Sequence, residues 1–262
     1  MSGARIRAVV VKDWIELARN RQVLLPIVLL PIVFALWLPA VLIAATRRPE
    51  AMERIGFITT YLEGLPAPIA ADPTRALVEY FMAPLFLMIP VVVATILATA
   101  AFVGEKERDT LEGLLFTPVT DRELVAAKIA VSWVPAVLVT WLSTAVYAVV
   151  VSLMATPWRH GWAFPNATWL ALTVVIAPLV SFFAIGCIVL ISHRASTLQG
   201  AQAVSGLLVL PVIVLIVSQA AGALAFDRRV VVVIGVLAAL GDVLVYHLAV
   251  RRFDRDRVVT RL

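Results

Sequence analysis

Six runs almost free of charge, each of 21–27 residues, divide this 262-residue chain: Leu24–Ala45, Tyr80–Val103, Ile129–Ala155, Ala167–Ile191, Ala203–Phe226 and Val230–Val250. A helix crossing about 30 Å of hydrocarbon needs about 20 apolar residues, so every run is long enough to span a bilayer. Helices are the expected form, since an unclosed strand leaves backbone groups unpaired in lipid. Internal prolines (Pro31, Pro39, Pro84, Pro90, Pro135, Pro178 and Pro211) fit, because membrane helices tolerate them, usually as kinks. Composition agrees, with 62% hydrophobic residues, 15% charged and a mean hydropathy of +0.98. Soluble domains hold about 45–50% and about 25%. A water-soluble fold, disorder, collagen and coiled coil are excluded. The expectation is an all-α, multi-pass membrane protein with one transmembrane domain over residues 1–262.

Lys and Arg decide the orientation, because they accumulate on the cytoplasmic side. An even number of spans puts both termini on one side. With the termini inside, the inner segments carry Arg5, Arg7, Lys12, Arg19, Arg21, Lys106, Arg108, Arg122, Lys128, Arg194, Arg251, Arg252, Arg255, Arg257 and Arg261, which is 15 of the 22 basic residues. The outer segments hold the other seven: Arg47, Arg48, Arg54, Arg75, Arg159, Arg228 and Arg229. Both termini are therefore expected in the cytoplasm. Leu24–Ala45 exceeds the 7–15 residues of a signal-peptide core and reads as a retained first span. Trp158, Trp162 and Trp169 bracket the second outer loop, as an aromatic belt does. The net charge of +5 restates the loop bias, and with no exposed basic domain a nucleic-acid partner is not expected.

Within residues 1–23, Ile6, Val9, Val10, Trp14, Leu17 and Ala18 fall at helical spacing, opposite Arg5, Lys12, Glu16, Arg19 and Asn20. This predicts an amphipathic helix on the cytoplasmic leaflet, the alternative being an extension of span one. The outer loop Thr46–Glu79 has room for a helix from Pro49 to about Leu62. A second helical start follows, with Asp72 as N-cap and Pro73 at the first helical position.

Reactive chemistry is absent from the sequence. His160, His193 and His247 are scattered, with no HExxH pair, no GxSxG elbow and no GxxxxGK[ST] phosphate loop. The lone Cys187 lies inside an apolar run without a base and reads as packing. No catalytic residue, bound cofactor or metal site is expected.

The segment 104–128, between spans two and three, carries the most information. Asp109 and Glu112 form a capping-box variant, and Thr120 with Glu123 a true box, with Val119 and Leu124 at its staple positions. Pro118 disfavours helix at Thr117. The product is a short helix bearing Leu111, Leu114, Leu115 and Phe116 outside the bilayer, then a bend into span three. Its leucines need burial, on headgroups or in a groove of another protein. Glu105, Glu107, Asp109 and Glu112 gain nothing from an anionic leaflet, which favours protein docking, although they also serve merely to solvate a loop.

These residues resemble the signature of type 2 ABC transporter permeases, especially the sodium-efflux and drug-efflux kinds. That pattern runs acidic–x–acidic–basic–Gly–Thr–Leu–Glu–x–Leu–Leu–x–Thr–Pro, then a Glu and a Gly–Lys. The chain matches at Glu105, Glu107, Arg108, Thr110, Leu111, Glu112, Leu114, Leu115, Thr117, Pro118, Glu123 and Lys128. Asp109 and Ala127 stand where the family has Gly. Lys12-Asp13 through Arg19-Asn20-Arg21 into Leu24-Leu25-Pro26 resembles the family's elbow helix and first span. The resemblance implies a permease subunit, an exporter of the cell inner membrane, that binds no cofactor itself. ATP and Mg would sit on a separate ATPase subunit. The helix Thr110–Phe116 would be the coupling helix in a groove of that ATPase, and a second permease copy, identical or homologous, would complete a dimer. The family often places re-entrant helices between spans five and six, so part of Ala203–Phe226, after Pro211, is expected to depart from a simple crossing.

Within the spans, Asp242 is the ionisable residue deepest in an apolar run and defaults to function. It also shares a face with Gly235, Ala238, Ala239 and Tyr246, which describes helix packing. Thr140, Ser143, Thr144 and Tyr147 form a polar stripe on span three, either interhelical contact or substrate path. So few polar groups suit an apolar or amphipathic substrate. The alternative class is a stand-alone six-span secondary transporter or channel, which would normally carry more intramembrane charge.

Overall fold

A computed structural model of the protein describes residues 3–48, 50, 56–104, 121–192, 198–221 and 228–252. Among these there is no strand. The helices are α1 Gly3–Arg19, α2 Arg21–Thr46, α3 Gly56–Glu63, α4 Pro73–Phe102, α5 Asp121–Met154, α6 Ala167–Ser192, α7 Leu198–Ser205, α8 Leu210–Ala220 and α9 Arg228–Arg252. Five helical stretches are long and apolar enough to cross a membrane: Arg21–Thr46, Pro73–Phe102, Glu123–Met154, Ala167–Ser192 and Arg228–Leu248. The run Ala203–Phe226 is not one regular helix. Its helix breaks into a 3-10 turn at Gly206–Val209, before Pro211, which sits in the first turn of α8, where a missing N–H costs little.

Three helices widen into π turns: Ile32–Trp37 in α2, Ala76–Phe81 in α4 and Leu172–Ile176 in α6. Each contains the carbonyl that a downstream proline deprives of its donor four residues on: Ala35 by Pro39, Tyr80 by Pro84, Val174 by Pro178. The helix relaxes to i−5 bonds instead, as from Leu38 to Val33, Met82 to Leu77 and Ala177 to Leu172. Pro135 lies within α5 without a π turn, and the carbonyl it frees, Val131, accepts from Trp14 Nε1 of α1 at 3.2 Å.

Helix α1 is separate from α2. The chain breaks at Asn20, whose side chain accepts from the Gln22 amide at 3.0 Å. Among the described side chains of α1, Val9 and Asp13 are buried, while Val11 and Ile15, on the other side of the helix, are exposed.

Contacts define the two ends of the bundle. At the α1 end, Trp14 meets Val131 and Lys128 meets Ala101. At the far end, Thr46 meets Thr74 (2.8 Å), Arg47 meets the Met154 carbonyl and Asn166 meets Glu79. Helices α2, α4, α5 and α6 therefore alternate in direction. Helix α9 lies parallel to α6: Gly235 is covered by Ile176, Gly241 by Phe183, and Gly186 by Val245. Between them, α7 and α8 run back along α4, with Ser205 Oγ 3.3 Å from Thr99 Oγ1 and Gln219 on Tyr80.

Helix α4 is the central, most buried element. It starts at Pro73 and not at Tyr80, capped by Asp72, which accepts from the Arg75 amide at 3.0 Å. Beside it, Phe86, Tyr147, Phe164 and Trp169 form an aromatic cluster, Tyr147 stacked on Trp169 with centroids 4.9 Å apart. Lipid supplies no hydrophobic drive between helices, so such packing and the hydrogen bonds below hold the bundle.

Candidate functional site

The coupling positions Glu105, Glu107, Arg108, Thr110, Leu111, Glu112, Leu114, Leu115, Thr117 and Pro118 lie outside the described residues. Their flanks are described. Lys128, buried near the start of α5, donates to the Ala101 carbonyl in the last turn of α4 and stands 5.6 Å over the Phe102 ring. A cation at a helix C-terminus meets the free carbonyls and the negative end of the dipole, and the ring face adds attraction. The two ends of the loop are thereby pinned together. Glu123, one turn earlier in α5, is also buried.

Helix α5 as a whole runs unbroken for 34 residues, about 51 Å, which exceeds a bilayer's hydrocarbon. Its hydroxyls turn inward on their own helix. Thr140 donates to Ala136 (2.8 Å), Ser143 to Val139 (2.6 Å) and Thr144 to Thr140 (2.9 Å). Of the stripe only Tyr147 reaches across, donating to the Val78 carbonyl at 2.7 Å. Helix α5 thus links the loop flank at the α1 end to the π turn of α4 at the far end.

That π turn is the centre of a network the sequence reading passed over. Four of its carbonyls accept from side chains of other elements: Ala76 from Tyr61 (3.3 Å), Val78 from Tyr147, Glu79 from Trp169 Nε1 (2.8 Å) and Tyr80 from Gln219 (2.8 Å). The Gln219 amide also donates to the Tyr61 hydroxyl at 3.1 Å. Burial pushes the Tyr61 phenol above its usual range, so it stays protonated and able to donate. The Glu79 carboxylate, itself buried, binds Arg75 Nε at 2.7 Å and the Asn166 amide. Asn166 does two jobs, because its oxygen caps α6 through the Trp169 amide at 2.9 Å. The available signal was Arg75 four residues before Glu79, an i,i+4 pair running into an apolar run.

Asp242 faces α6 beside Gly241, and its Oδ1 is enclosed without a hydrogen-bond partner among the described residues. Tyr246, on the same side of α9 as Asp242, is 58% exposed. Among the described residues no cluster of His, Cys, Asp and Glu has the makings of a metal site.

A bundle in which five helices are long and apolar enough to cross a bilayer is that of a multi-pass membrane protein. Residues 7–252 match the ABC-2 family transporter protein, and the chain belongs to that family. It is a membrane permease subunit of an ABC transporter and not itself the catalytic subunit. No curated protein matches the chain.

Proposed function

We propose that the chain is the membrane half of an ATP-driven exporter, worked by a separate ATPase that docks on the segment 104–128. The observation that carries this reading is the Lys128–Ala101 pin at the base of that segment, from which one unbroken helix leads across the bundle. A push on the docked segment is delivered to α4 and α5 together and reaches the far end through Tyr147 and Val78. ATP and Mg bind the partner. One coupling segment per chain and two sites in an ABC ATPase pair call for two permease copies, identical or homologous.

Six crossings, with both termini cytoplasmic, are part of the proposal. Because α6 and α9 run the same way, the chain between them has to return across the membrane. The stretch from Ser205 to Gln219 does so beside α4, from Thr99 to Tyr80, about 28 Å of helix. The amphipathic α1 then lies at the cytoplasmic surface as an elbow. The stripe and the small-residue face around Asp242 serve packing, and the cargo is apolar or amphipathic.

The test is Leu115→Asp. Each leucine buried on the partner contributes about 1.5–3 kcal/mol, and a carboxylate without a partner is costly to bury. ATPase co-purification and ATP-driven transport in proteoliposomes should both be lost, with expression retained. Full binding and transport in this variant, or transport by the chain without any ATPase, would overturn the reading.

A further inference from the structure

The junction of α1 and α2 borders a cleft of about 630 Å³ lined by Lys12, Ile15, Glu16, Arg19, Asn20 and Arg21 among others. Its charges are not equivalent. The Lys12 ammonium lies 3.3 Å from Asp13 and 3.8 Å from Glu16, so that basic group is matched by acids. Arg19 and Arg21, on either side of the Asn20 break, are exposed and make no side-chain hydrogen bond or ion pair with any described residue. Two guanidinium groups without a partner among the described residues thus flank the N-terminal end of a 26-residue helix, where the dipole adds positive potential. Guanidinium forks bind phosphate oxygens in pairs.

The cleft does not open on water alone. Ile15 in its wall is exposed, and Leu25, Val28, Leu29, Ile32 and Leu36 continue an exposed apolar face down α2. A free phosphate satisfies only the first half of this surface. A phosphate that carries hydrocarbon chains satisfies both. We propose that the α1–α2 cleft binds an anionic phospholipid, its phosphate between Arg19 and Arg21 and its acyl chain along α2. The proposal rests on the elbow placement of α1 at the membrane surface and is independent of ATPase docking.

The experiment uses the full chain in mild detergent, delipidated and offered equal amounts of phosphatidylglycerol and phosphatidylcholine, with retained lipid counted by native mass spectrometry. Wild type should retain phosphatidylglycerol with roughly tenfold preference. Arg19→Gln/Arg21→Gln should bind both lipids equally, while Arg48→Gln/Arg228→Gln, away from the cleft, should keep the preference. Arg19→Lys/Arg21→Lys should keep part of it. This pair decides the matter if the glutamine pair does not fold, since a folded lysine pair without preference refutes the site. A preference that survives the glutamine pair overturns the proposal. So does displacement of the lipid by an equal concentration of inorganic phosphate, which would mark a simple anion site. A glutamine pair that loses the ATPase but keeps the lipid preference assigns the cleft to a protein partner instead.

Discussion

The side-chain amide of Gln219 donates to the carbonyl of Tyr80 at 2.8 Å, and Tyr80 is the residue whose helical donor Pro84 removes. The pairing explains why a glutamine is buried in an apolar helix and why α8 stops where it does beside α4. In lipid the freed carbonyl has no water to turn to, so a donor from a neighbouring helix is needed. The same logic joins Trp14 to Val131, four residues before Pro135. These prolines act as sockets for tertiary contacts as well as kinks.

Gln219→Leu should therefore destabilise the bundle by about 1–3 kcal/mol, through loss of the amide's buried hydrogen bonds to the Tyr80 carbonyl and the Tyr61 hydroxyl. Adding Pro84→Ala restores an N–H for Tyr80 within α4, so the double variant should lose less than the two single variants combined. Thermal unfolding of the purified chain in detergent, read as a double-mutant cycle, checks this. Strict additivity would mean that the two residues do not share the Tyr80 carbonyl.

Cysteine labelling tests the crossings. In a Cys187→Ala background, single cysteines at Glu50 and Asp227 should react with a membrane-impermeant reagent from outside. Those at Arg108 and Arg257 should react only after permeabilisation. Labelling of Asp227 from the cytoplasmic side would mean that α7 and α8 turn back before crossing, leaving an odd number of spans.

Five of the apolar runs coincide closely with the five helices long and apolar enough to cross a membrane, because the minimum length for spanning hydrocarbon leaves little freedom. Helix α4 begins at Pro73, ahead of the apolar run at Tyr80, and its start is legible in Asp72 and Pro73. Glu79 does not end the span despite its charge, because it is paired with Arg75 and Asn166 and enters the helix. Asn166 lies 87 residues away, and no local pattern announces it. The helix break at Gly206–Val209 falls at a glycine ahead of Pro211, where helix preference is weak. The hydroxyl stripe of α5 was legible as a stripe. Whether Thr140, Ser143 and Thr144 bond across or back along their helix depends on rotamers, and all three chose their own carbonyls.

The last prediction concerns Lys128. If the pin to Ala101 makes the segment 104–128 move as one body with α4 and α5, then breaking it should separate docking from transport. Lys128→Met keeps the aliphatic stem over Phe102 and removes the ammonium, leaving the Ala101 carbonyl without its donor. Loss of a charged hydrogen bond at a buried site is worth about 1.5–3 kcal/mol, enough to loosen one joint without unfolding the bundle. The ATPase should still co-purify, because the substitution leaves Leu111, Leu114 and Leu115 of the proposed docking segment unchanged. Hydrolysis should continue at near its wild-type rate while transport per ATP hydrolysed falls about tenfold, the factor that 1.4 kcal/mol represents. Lys128→Arg, which retains a donor and a cation, should recover part of the coupling. Parallel assays of ATP hydrolysis and substrate flux in the same proteoliposomes measure the ratio directly. A Lys128→Met variant with an unchanged ratio would show that the pin only stabilises the bundle and that the push reaches the spans by another route.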